Sequence, residues 1–129
     1  AGKEEGSCYY YLDRRAFYYF ISRAYSEGAG GFSKCRDRII SNITGDDPEE
    51  AGFLMNAMGV STLVNFGCRD EVLITRRVKL VAERMEAQGY WERCPVYQGE
   101  EYPKPVGLYW GSECISTALC IEAIVKSSF

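Results

Sequence analysis

Histidine is missing from all 129 residues. That excludes every chemistry that needs an imidazole: Ser-His-Asp and Cys-His nucleophiles, and histidine-ligated zinc. No apolar run approaches the ~18 uncharged residues that read as a bilayer span. An excess of positive charge is missing too. Fifteen Lys+Arg stand against 18 Asp+Glu, for a formal net charge of −3, so nucleic acid is not an expected partner. The chain has no closely spaced cysteine pair, phosphate-cradling glycine loop or nucleophile elbow. Gly28 to Gly31 follows a helical pattern rather than a strand. The expected catalytic residues, cofactors and metals are therefore none.

What is present reads as a globular domain. Hydrophobic residues make up 47% and charged residues 26%, both near the usual averages. The length suits one domain that buries about two-thirds of its unfolded surface. Residues 1–7 are polar and glycine-rich and read as a flexible segment or cloning remnant, leaving 8–129 as a single domain. The six cysteines (Cys8, Cys35, Cys68, Cys94, Cys114 and Cys120) are dispersed and even in number. This pattern predicts three disulfides, in any of 15 pairings, and hence an oxidising compartment and a secreted monomer. Asn42-Ile43-Thr44 is a glycosylation sequon.

The pattern predicts helices over about 13–26, 48–66 and 70–87, with a short one near 36–42. Asp13 caps the first. Asp47, with Pro48 behind it and Glu50 three residues on, starts the second, and Gly67 ends it. Asp70 and Glu71 favour the start of the third, where Ile74, Val78, Val81 and Met85 recur at the helical period, and Gly89 ends it. After that the pattern changes. Tyr90 to Tyr97 and Val106 to Trp110 read as short strands. From Cys114 to Val125, residues Ile115, Thr117, Leu119, Ile121, Ala123 and Val125 alternate in the manner of a half-buried strand, with a helix as the alternative because short apolar runs are ambiguous. The expected fold class is α+β, with helices packed on a small antiparallel sheet.

Four features are candidate sites. Glu27, at the end of an apolar helix, has the setting of a glycosidase acid, with Asp37, Asp46 or Asp47 as second carboxylate, although an ordinary solvated helix end is the commoner meaning. Tyr9, Tyr10, Tyr11, Tyr18, Tyr19 and Tyr25 crowd the first 25 residues, and Phe17, Tyr18, Tyr19, Phe20 and Ile21 are too many for one neighbour to bury, so the first helix is either sandwiched, the favoured reading, or leaves some rings exposed. Arg69, Arg76, Arg77, Lys79, Arg84 and Arg93 interleave with glutamates, as on a solvated helical face. The loop Gln98 to Pro105 is acidic, aromatic and stiffened by proline, and so presentable to a partner. Large rings and arginines favour recognition, and Trp91, Arg93, Tyr97, Tyr102 and Trp110 form the expected binding surface.

In size, in its six dispersed cysteines and in helices followed by a compact sheet, the chain resembles the small cysteine-rich proteins secreted by fungi, chiefly the virulence and avirulence effectors of plant pathogens. Trp110-Gly-Ser-Glu-Cys-Ile-Ser-Thr-Ala-Leu-Cys120 looks typical of that class. Tyr90-Trp91-Glu92-Arg93 resembles a Trp-Arg element of one structural family within it, with Glu92 between the two residues. The resemblance implies a non-enzymatic protein that binds a host protein, sometimes a resistance receptor, on or inside host cells. Fungal killer toxins share the outline and give the alternative of a secreted antimicrobial. A carbohydrate hydrolase using Glu27 is the other.

Overall fold

The computed structural model describes residues 13–98 and 109–128. Helix α1 is Arg14–Ser26, and the Asp13 side chain caps it by accepting from the Arg15 amide at 2.9 Å. A 3-10 turn, Gly30–Cys35, leads into α2, Arg36–Thr44. Asp47 caps the single turn α3, Pro48–Ala51, by accepting from the Glu49 amide at 3.0 Å. Gly52, at φ +81, then interrupts the helical path. That is a conformation glycine adopts at no steric cost, so the one helix expected over 48–66 is two, α3 and α4, Phe53–Asn65. Helix α5, Glu71–Gln88, runs from the Asp70 cap to Gly89 at φ +83. Helix α6, Glu113–Lys126, is capped by Ser112.

Helix α4 is the axis of the molecule. Every residue from Phe53 to Leu63 is buried, and a helix without a polar stripe must be enclosed on all sides. Helices α1, α5 and α6 enclose it. Tyr18 and Tyr19 of α1 are buried and Phe17, Phe20 and Ile21 pack against the same core, so the first helix is indeed sandwiched. Among the described residues no helix is long and apolar enough to cross a membrane.

The expected α+β class is wrong: the fold is helical. The extended pairing among the described residues is a two-residue antiparallel ladder, β1 (Tyr97–Gln98) with β2 (Tyr109–Trp110), in the register Tyr97 to Trp110. It offers no sheet for helices to pack on. The stretch read as a strand is α6. Its buried residues are Ser116, Cys120 and Ala123, at helical spacing, while Ile115, Ile121 and Val125 are exposed. Small side chains hold the most buried positions, with Leu119 and Ile124 partly buried beside them, so the apolar alternation never described the packed face.

The expected disulfide framework is also corrected. Cys35, Cys68, Cys94, Cys114 and Cys120 are all free thiols, and Cys8 lies outside the described residues. Bridging needs Cα atoms within about 7 Å and converging Cβ vectors. On α6, Cys114 is exposed and Cys120 is fully buried, so the two lie on different faces. An even cysteine count carries no such geometry.

Two polar clusters fasten the helices. The Tyr19 hydroxyl donates to both Glu122 oxygens, at 2.6 and 2.7 Å, joining α1 to α6. Lys126 donates to Asn65 Oδ1 at 2.6 Å and Asn65 Nδ2 donates to Ser22 Oγ at 3.0 Å, which brings in α4. On the other side Arg77, expected on a wet face, is only 3% exposed. It donates to the carbonyls of Leu73 at 3.0 Å and Ile43 at 2.7 Å, tying α5 to the end of α2.

Candidate functional site

The reversal at Gly89 brings the segment after α5 back along that helix. Glu92 forms an ion pair with Arg84, eight residues earlier and one side of the turn away. Trp91 is drawn inward and its Nε1 donates to the Val81 carbonyl at 2.9 Å. Between this segment, α3, the start of α4 and the outer side of α5 lies a groove of about 520 Å³. That volume is within the range of small-ligand and side-chain pockets.

Phe53 and Leu80 give the groove apolar surface, and Glu49, Glu83, Glu92 and Arg84 supply its charge. Three carboxylates against one guanidinium leave a formal charge of −2. The Arg84 guanidinium carbon sits 5.6 Å from the centroid of the Phe53 ring, within cation–π range. The groove thus already holds one guanidinium between an aromatic face and a carboxylate. Buried Asn56 fixes its inner end, with Nδ2 donating to the Pro48 carbonyl at 2.8 Å. Among the described residues no three His, Cys, Asp or Glu side chains lie close enough to hold a metal ion.

The structure does not assemble the surface expected from sequence. Trp91 is 5% exposed and belongs to the core. Arg93 is exposed. Tyr97 and Trp110 are paired through their backbones. Tyr102 and most of the Gln98 to Pro105 loop lie outside the described residues. Within Tyr90-Trp91-Glu92-Arg93, the residue that reaches the groove is Glu92, the one that had seemed to interrupt the element. Glu27 is an exposed C-cap residue of α1, outside any apolar pocket of the kind that houses a glycosidase acid. Its proposed partners are engaged elsewhere: Asp37 with Arg36, Asp46 with Arg15, and Asp47 with Arg76 and the start of α3. Asn42 of the sequon donates to the Tyr18 hydroxyl at 2.9 Å.

The thiols differ sharply in environment. Burial pushes the Cys120 thiol up to about 12, with Cys94 nearby adding to the effect. Burial also raises Cys94, with Arg84 opposing it. In reducing buffer, iodoacetamide is expected to modify exposed Cys114 first and Cys120 last, as read by peptide mass mapping. An unfolded thiol ionises near pH ~8.5. Above that the unfolded chain releases a proton that folded Cys120 keeps, so stability is full below pH ~8.5 and falls as pH rises, by at most ~1.4 kcal/mol per unit. Urea midpoints at pH 7.5 and 9.5 are expected to differ in the native chain, and to differ less in Cys120→Ala.

No protein-family model, no curated protein and no solved structure matches the chain.

Proposed function

We propose that this protein is a secreted, non-enzymatic effector that works by binding a host protein, and that the Phe53–Arg84–Glu92 groove receives a cationic side chain from that partner. The observation that carries the reading is residual negative charge over apolar walls in an open groove with room for a long side chain. A lysine or arginine entering there would lay its methylenes on Phe53 and Leu80 and place its charge near Glu83 and Glu49. The sequence resemblance supplies the host setting. The groove supplies the kind of contact.

The test uses Glu49→Lys/Glu83→Lys, two exposed positions whose reversal leaves the core untouched. An arginine-rich nonapeptide labelled for fluorescence anisotropy serves as the solution probe, and the response of host tissue to purified protein as the biological one. The native chain is expected to bind the peptide in a salt-sensitive manner, and the double variant at least tenfold more weakly, with the host response lost in parallel. Equal binding and equal response by a folded double variant would remove the groove from the function.

A further inference from the structure

Among the described residues that line the groove, Phe53 is the one aromatic ring, and its open side is already covered. Phe53 is only 9% exposed. The Arg84 guanidinium lies over the ring at 5.6 Å while pairing with Glu92. A cationic chain from a partner that laid its methylenes on Phe53 would claim the same space. Entry therefore requires Arg84 to move off the ring. The groove is closed by a residue of the chemistry it is suited to receive.

The seat that Arg84 vacates is more selective than charge alone. It has a ring on one side and a carboxylate at its end. A guanidinium is flat, stacks on a ring and offers a carboxylate two parallel N–H donors. An ammonium is compact and strongly hydrated, and does neither. Arg84 fills this seat imperfectly. Its Nε is shut off from water and, among the described residues, has no hydrogen-bond partner, which offsets part of what the ion pair contributes. The pair is also open to solvent, with 40% of the Arg84 side chain and 28% of the Glu92 side chain exposed, and such pairs are weakly held. An incoming arginine can replace Arg84 on Glu92 ion for ion, while the released Nε regains water.

Resting on the cationic-partner reading of the groove, we propose that it is an arginine site rather than a general cation site, and that Arg84 is its resident occupant, displaced from Phe53 and Glu92 when the partner's arginine enters. Glu92 then recognises the guanidinium, Phe53 stacks on it, and Arg84 sets both affinity and selectivity.

Nona-arginine and nona-lysine, equal in charge, are the probes, read by fluorescence anisotropy against the native chain, Arg84→Lys and Arg84→Ala. The native chain is expected to bind nona-arginine about threefold more tightly than nona-lysine. Arg84→Lys keeps the net charge but gives up the flat resident, and is expected to bind nona-arginine about threefold more tightly than the native chain. Arg84→Ala empties the seat and is expected to gain about tenfold or more. If Arg84 only adds to the field, Arg84→Lys stays at the native affinity, and that result overturns the displacement. Equal binding of the two peptides by all three proteins overturns the selectivity while leaving a general cation groove in place. Binding of neither peptide by any of them removes the cationic-partner reading, and this one with it. A second measurement needs no peptide. N-ethylguanidinium at about 10 mM is expected to raise the thermal midpoint of Arg84→Ala, ethylammonium is not, and Arg84→Ala/Glu92→Gln is expected to respond to neither. Equal effects of the two ions on Arg84→Ala overturn the guanidinium seat.

Discussion

Arg77→Ala is expected to lower the free energy of unfolding by about 3 kcal/mol, the loss of two charged hydrogen bonds and of a long buried stem, partly offset by relief of a buried charge. Arg77 lies under the surface with its guanidinium on the carbonyls of Leu73 and Ile43. Desolvation lowers its pKa, with Asp46 acting in the opposite direction. Its stem also lies against α4, since a Cβ added at Gly59 would meet Arg77 Cδ at 3.8 Å. The residue therefore joins α2, α4 and α5 at one point. Arg77→Met separates the two contributions. Methionine keeps most of the packing and removes the charge, so its loss is expected to be about 1 kcal/mol. Urea unfolding of the three proteins checks both values. If Arg77→Ala costs less than 1 kcal/mol, the guanidinium is not a fastening.

Gly111→Ala is expected to cost about 3 kcal/mol or more, beyond the usual range for an added methyl group, because what it meets is backbone. A Cβ at this position would collide with the Cys94 carbonyl oxygen, lie 2.8 Å from the Cys94 carbonyl carbon and 3.2 Å from Pro95 Cα. No rotamer change relieves such a contact. The chain must separate the 94–95 segment from the residues leading into Ser112 and α6. Gly30→Ala is the control. Nothing lies within 4 Å of a Cβ there, so that change is expected to be neutral or slightly stabilising, by roughly 0.5 kcal/mol. Thermal unfolding of the pair checks the contrast, and equal midpoints would show that the segments do not approach so closely.

The parts of this fold that sequence made legible are those decided within a few residues. Asp13, Asp47, Asp70 and Gly89 mark helix ends because each makes its bond or takes its conformation locally. What sequence hid was decided across the molecule. Helix α6 read as a strand because its most buried positions, Ser116, Cys120 and Ala123, carry little hydrophobic signal, while Ile115, Ile121 and Val125 are exposed and Leu119 and Ile124 only partly buried. Arg77 read as a solvated charge because its partners are carbonyls, one of them 34 residues away. Trp91 read as an exposed anchor because nothing local announces a bond to the Val81 carbonyl. The groove was hidden for the same reason. Glu83, Arg84 and Glu92 were visible as a mixed-charge run, but only the reversal at Gly89 sets Glu92 against Arg84, and only α4 brings Phe53 beneath them.

Helix α4 has no wet side. Stripping away α1, α5 or α6 alone would leave a strip of the central rod in contact with solvent, and no smaller subset of the helices retains a closed interior. Among the described residues no helix is a detachable part, and melting is expected to be all-or-none, because the periphery cannot loosen far without the centre giving way at the same moment.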